Sequence, residues 1–167
     1  MITQEDLNYL YHWAKDQSFA FKRAPTAEGY SNQPIYFCWL KGSRSFKGVR
    51  ASVVDDERAY NILSDSDVLF ATVASFDPGT ELGPHRDPNV YSDPYSRIQI
   101  PLSIPDDRCY MIWKGEKVFW KEGESKQFNV MDEVHEGYNY SDDKMIFIFI
   151  DVKKNGTANS KGKMPIM

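Results

Sequence analysis

The stretch ELGPHRDPNVYSDP, residues 81–94, sets His85 and Asp87 two positions apart, with Pro84 before the one and Pro88 after the other. In an extended chain, residues i and i+2 point to the same face, so an imidazole and a carboxylate at this spacing can grip one metal ion together. A further ligand is available at His135, in NVMDEVHEGYNYSDD, between two apolar runs. Two imidazoles and one carboxylate make the facial set of non-haem Fe(II) oxygenases, which leaves three coordination positions open. Catalytic zinc takes the same ligands, so the ligand set alone does not choose the metal. The remaining histidine, His12, sits in a helical stretch with no third ligand near it in sequence and reads as structural or solvated.

Fe(II) chemistry that uses 2-oxoglutarate needs a buried cation for the far carboxylate, and such charge-assisted bonds are the strong kind. Arg97 opens RIQIPLSIP, where Gln99 shares its face, and Lys144 stands at the head of MIFIFIDV. The competing reading is that Arg97 and Lys144 are strand-end charges that keep an edge soluble. The Trp113, Phe119 and Trp120 side chains read as core or rim aromatics, and Tyr91, Tyr95, Tyr138 and Tyr140 as candidates to line a substrate mouth.

These residues must be carried on something. Thr3 followed by Asp6 has the form of a capping box, and Leu7, Leu10, Tyr11 and Ala14 recur at helical spacing. PIYFCWL at 34–40 has the β-branched and aromatic content of a buried strand, GSRSFKG at 42–48 that of a turn, and DDERAYNIL at 55–63 that of a short helix. From Val68 onward VLFATVAS, RIQIPLSI, RCYMIW, KVFW, KQFNV and MIFIFIDV alternate with turn chemistry such as DPG, PDD, KGE and KEGES. The pattern predicts a mainly β protein, a jelly roll or barrel with its helices supplied by the N-terminal third. One domain over residues 1–152 is expected, with 1–67 as support and 68–152 as the core, followed by a polar tail at 153–167.

Composition narrows the function classes. At 167 residues, 41% hydrophobic and 14% aromatic, the chain is globular in character. A net charge of −4 argues against a nucleic-acid partner. Two cysteines without a CxxC pair argue against a cysteine-rich zinc site and fit a reducing, cytoplasmic setting. The apolar runs are too short to cross a bilayer, so no membrane partner is expected.

FDPGTELGPHRD, RIQIPLSIP and VFWKEGESKQFNVMDEVHEGYNYSDDKMIFIFIDV together resemble the aspartyl/asparaginyl β-hydroxylase family of 2-oxoglutarate oxygenases, in the family's order from Phe70 to Val152. The resemblance implies a double-stranded β-helix, cupin-like, with Fe(II) held by His85, Asp87 and His135. It implies 2-oxoglutarate as cosubstrate, near Arg97 and Gln99, and O₂ as oxidant. The implied reaction hydroxylates a C–H bond of an aspartyl or asparaginyl side chain, or of an amino-acid-like small molecule, with release of succinate and CO₂. Two positions depart from the family pattern. The basic residue of the last strand is normally Arg and here falls at Lys144, a point charge without the planar fork. A serine that helps hold the cosubstrate in some members falls near Ala74, with Ser75 beside it. These departures keep open an alternative, a metal-binding jelly-roll module that has lost turnover. A cupin dioxygenase acting without 2-oxoglutarate is disfavoured by the His-x-Asp spacing.

Overall fold

The structure, a computed structural model, describes residues 1–24, 29–43 and 46–154. Part of the 42–48 turn and all of the polar tail from residue 155 lie outside the described residues.

The chain begins with α1 (Gln4–Lys15). Thr3 Oγ1 accepts the Asp6 N–H at 3.1 Å and the Thr3 N–H donates to Asp6 Oδ2 at 2.9 Å, the reciprocal capping box expected from sequence. Leu7, Leu10, Trp13 and Ala14 form its buried stripe. Two strands follow, β1 (Lys22–Arg23) and β2 (Tyr36–Lys41), and then α2 (Glu57–Leu63). Asp56 caps α2 through the Ala59 N–H at 2.9 Å, and the Tyr9 hydroxyl donates to the same carboxylate, which ties the two helices together.

The remaining elements are β3 (Val68–Phe76), β4 (Glu81–His85), β5 (Tyr95–Ser103), β6 (Cys109–Trp113), β7 (Glu116–Phe119), β8 (Lys126–Phe128), β9 (His135–Asn139) and β10 (Met145–Lys153). They make two antiparallel sheets, one in the order β1-β2-β3-β10-β5-β8 and one in the order β4-β9-β6-β7. From β3 the chain passes back and forth between the sheets, which is the winding of a double-stranded β-helix. Lys153, expected in the tail, is the last residue of β10.

The large sheet is covered on one face and lines the interior with the other. On β10, Ile148, Ile150 and Val152 join the cluster formed by the helices, while Met145 and Phe147 join a cluster between the sheets. The same alternation sends Ile98, Ile100 and Leu102 of β5 outward to the helices and leaves Arg97 and Gln99 on the inner face. Lys15 Nζ donates to the Leu102 carbonyl at 3.0 Å, pinning the end of α1 to β5.

The turn from β3 to β4 delivers the first candidate ligand. In Asp77-Pro78-Gly79-Thr80 the Thr80 N–H donates to the Asp77 carbonyl at 3.1 Å, and Gly79 has φ +84°. Proline at the second position and a left-handed glycine at the third are what a type II turn requires. A Cβ at Gly79 would also stand 2.9 Å from Gln33 Nε2.

Candidate metal centre

His85 ends β4 and His135 opens β9, and the two are Cα partners across that strand pair. The register of β4 shifts between Leu82 and His85, at Gly83 and Pro84. Proline has no N–H to give a ladder, and β4 lies at the edge of its sheet, where such an irregularity is tolerated. Asp87 follows the strand, with its backbone N–H donating to the Val130 carbonyl at 2.9 Å. The three side chains thus converge from β4, the segment after it, and β9.

The sequence placed His135 between strands. It is instead the first residue of a strand, flanked by β4 and β6, with its ring 5.9 Å from that of Trp113 on β6. Cross-strand pairing, rather than a loop, sets its direction.

Each imidazole is oriented in the same way. His85 Nδ1 lies 2.7 Å from the Gly83 carbonyl, and His135 Nδ1 lies 3.0 Å from the Glu133 carbonyl. A carbonyl accepts only, so each Nδ1 carries hydrogen and each Nε2 of the neutral ring is left with its lone pair. Both lone pairs face Asp87 Oδ1, at 3.3 Å from His85 and 3.2 Å from His135. Three acceptors gathered so closely make a site that a cation, whether a proton or a metal ion, would relieve. Two donor atoms about 2.1 Å from one metal and at right angles would stand about 3 Å apart, so the spacing fits a small divalent ion. His85, Asp87 and His135 form a group that could hold a metal among the described residues.

Arg97 completes the picture on the other side of Asp87. Its Nη1 donates to Asp87 Oδ2 at 2.6 Å, while Nε and Nη2 donate to Asp151 Oδ1 and Oδ2 at 2.7 and 3.0 Å. Burial pushes the Asp87 carboxyl up, while the Arg97 charge beside it pulls it down, and the group is held well below the usual carboxylate range. For Arg97, burial disfavours the charge, and Asp151 and Asp87 more than restore it.

Gln99 stands beside Arg97 on the inner face, with Oε1 accepting from Trp120 Nε1 at 2.9 Å. Lys144 is not brought to this group. It precedes β10, its side chain is 59% exposed, and its ammonium lies 3.9 Å from Asp77. The inner-face cation absent from the sequence reading is Lys126 of β8, the Cα partner of Gln99. Its side chain is 15% exposed, with the carboxylate of Glu124 at 3.9 Å.

The aromatic expectations divide. Trp113 is core, packed on Phe128 at 4.9 Å, but Phe119 is exposed. Tyr95 is buried, and Tyr91 donates to Asp151 Oδ2 at 2.7 Å. Tyr138 and Tyr140 do not line a mouth. They alternate with the inward His135, Gly137 and Asn139 and stack on each other at 5.5 Å on the far face of the small sheet. His12 is exposed on α1.

Two further residues at the site were not anticipated. Tyr30 lies flat on His85, ring centroids 3.7 Å apart and planes 3° from parallel. Asp151 carried a readable signal, a lone carboxylate in the otherwise apolar strand MIFIFIDV, since a buried charge needs a partner.

Solved structures share the winding. A 2OG-Fe(II) oxygenase family oxidoreductase from Burkholderia pseudomallei superposes with a TM-score of 0.57 at 12% identity, covering 86% of this chain and 78% of its own. A predicted oxalate decarboxylase from Thermotoga maritima gives 0.53 at 12% identity, covering 81% and 94%. A cupin 2 conserved barrel domain protein from Rhodopseudomonas palustris gives 0.50 at 10% identity, covering 81% and 72%. At such identities the likeness is one of fold, and the chain is a cupin-like jelly roll. No curated protein sequence matches it. The family model for aspartyl/asparaginyl β-hydroxylases matches residues 51–155, and the chain belongs to that family.

Proposed function

We propose that this protein is an Fe(II)- and 2-oxoglutarate-dependent hydroxylase. Its substrate would be a C–H bond in an aspartyl or asparaginyl side chain or in an amino-acid-like small molecule, and succinate and CO₂ would be released. The observation that carries the reading is the convergence of His85 Nε2, His135 Nε2 and Asp87 Oδ1, with both imidazole tautomers fixed by backbone carbonyls. Iron favours six positions, so a three-residue face leaves room for a chelating cosubstrate and O₂, whereas tetrahedral zinc would leave one. With 2-oxoglutarate and O₂, bound Fe(II) supplies the oxidising power for C–H hydroxylation; the chain's task is placement and exclusion of water.

Gln99 and Lys126, neighbours across β5 and β8, would meet carboxylate oxygens of the cosubstrate. Trp120 holds the Gln99 amide with its oxygen turned to the indole, which leaves the amide N–H₂ to donate. The family resemblance, the fold and the ligand geometry support this reading together. Among the described residues no helix is long and apolar enough to cross a membrane, and a cytoplasmic location is part of the proposal.

One observation favours a second reading, a metal-binding module without turnover. The barrel interior beyond Gln99 is lined by Ala74, Phe76, Met145 and Phe147, all buried and apolar, and Lys144 stands outside it. The test is succinate formation followed by NMR after air is admitted to protein loaded anaerobically with Fe(II), ascorbate and 2-oxoglutarate. Succinate from the unaltered chain and none from His135→Ala would support the hydroxylase. Metal binding with neither succinate nor 2-oxoglutarate binding would support the module.

A further inference from the structure

A carboxylate between two imidazoles can bind a metal through one oxygen or two, and it can swing away altogether. What fixes Asp87 is therefore as consequential as its presence. Its Oδ2 is bound to Arg97 Nη1 at 2.6 Å, which turns Oδ1 alone toward the histidines. Arginine is long and flexible, so this works only if Arg97 is itself held.

Asp151 does that. It faces Arg97 directly across the β10–β5 pair and takes two parallel bonds from the guanidinium, at 2.7 and 3.0 Å. It is fully buried, on a strand hydrogen-bonded on both sides, so its carboxylate has a fixed origin. The Phe149 ring lies 5.4 Å from the guanidinium carbon and supports its face. Tyr91 adds a third bond to Asp151, from its hydroxyl to Oδ2 at 2.7 Å. Tyr91 belongs to the connection that leaves Asp87, so Asp87, Arg97, Asp151 and Tyr91 close a ring through side chains and backbone. Three of the five guanidinium N–H donors are engaged within that ring.

We propose that Asp151 and Tyr91 are positioning residues of the metal centre, acting through Arg97 to hold Asp87 as a one-oxygen ligand. On this reading, which rests on His85, Asp87 and His135 being a metal centre, Arg97 serves the metal ligand rather than the cosubstrate. Outer partners of this kind commonly change metal affinity 10- to 100-fold when removed.

The test uses Co(II) alone, added to the full chain without 2-oxoglutarate, with its visible absorption reporting ligand number and geometry. Asp151→Asn should raise the Co(II) Kd about 10- to 100-fold and alter the visible band. Tyr91→Phe should act in the same direction by a few-fold, because Arg97 keeps both of its bonds to Asp151. The affinity of the Co(II)-saturated protein for 2-oxoglutarate should stay within about twofold in each variant. A merely structural role would not move the visible band of folded protein while sparing the cosubstrate. If Asp151→Asn fails to fold, Tyr91→Phe with native circular dichroism decides the matter. Unchanged Co(II) affinity and spectrum in folded variants would overturn the proposal, as would a loss confined to 2-oxoglutarate. Failure of the unaltered chain to bind Co(II) would instead remove the metal centre itself, so the two failures are told apart.

Discussion

Tyr30 covers one face of the His85 imidazole, the two rings nearly parallel with centroids 3.7 Å apart. With Nδ1 already tied to the Gly83 carbonyl at 2.7 Å, the ring has its in-plane direction and its tilt both constrained. Stacked aromatic pairs contribute about 0.5–1.5 kcal/mol beyond the area they bury. Tyr30→Ala should therefore raise the Co(II) Kd about 2- to 10-fold, and Tyr30→Phe, which keeps the ring, should raise it less. Titration by visible absorption measures both. Equal affinities for Tyr30→Ala and the unaltered chain would show that the backbone bond alone orients His85.

Trp120 fixes Gln99 through a single bond, Nε1–H to Oε1 at 2.9 Å, while its ring packs edge-on to Phe147 with centroids 4.7 Å apart. Trp120→Phe keeps most of the packing and removes the donor, at a cost of about 1 kcal/mol. The expected outcome is a 2-oxoglutarate KM about fivefold higher with Co(II) affinity unchanged. A loss of metal affinity instead would place Gln99 in the support of the centre.

The two candidate lysines should behave differently. Lys126 is largely covered on the inner face, whereas Lys144 is 59% exposed beside Asp77. A charge-assisted bond contributes about 1.5–3 kcal/mol, so Lys126→Met should weaken 2-oxoglutarate binding at least tenfold. Lys144→Met, the loss of a solvent-screened charge, should leave it within about twofold. Calorimetry on anaerobic, Co(II)-loaded protein separates the two, and the reverse order would return the cosubstrate role to the head of β10.

Acid sensitivity follows from Asp87. Its carboxyl is held below the ordinary range in the folded chain, so folding favours the ionised form. The stabilisation is complete above the unfolded value of about 3.9 and is lost as the pH falls from there toward the depressed folded value. The quantity to follow, in metal-free protein, is the stability difference between the unaltered chain and Asp87→Asn. Below pH 4 it should change by about 1.4 kcal/mol per pH unit in the direction that disfavours the unaltered chain. Urea unfolding at several pH values checks this. A difference independent of pH would mean that Asp87 is not selectively stabilised as the anion.

The large sheet was legible in the sequence because its central strands are buried on both faces. RIQIPLSI and MIFIFIDV carry the apolar density that two-sided burial demands, and α1 announced itself by Thr3, Asp6 and the stripe from Leu7 to Ala14. β4 and β9 were not legible. ELGPH and HEGYN hold Gly, Pro, His and Asn, poor strand formers that pair because their neighbours hold them in register. His85, Asp87 and His135 stood out in the sequence because metal ligation restricts residue type so sharply, and the fold brings the three together. Lys144 was named from its place at the head of an apolar strand, but it lies just before β10, and its side chain stands 59% exposed beside Asp77. The tie from Tyr91 to Asp151 spans 60 positions and has no local signature.

β10 pairs with β3 on one side and β5 on the other, so the large sheet is divided until the last described strand is laid between its halves. During synthesis all three candidate ligands leave the ribosome before that strand does. A nascent chain ending short of it would expose the sheet edges and the apolar faces of both halves, and its Arg97 would still lack Asp151. Chain growth thus sets the order of events: the ligands come first, and the strand that steadies them and seals the sheet comes after. Tight binding at the three-residue group should therefore follow completion of the barrel, when Arg97 and Asp151 first meet.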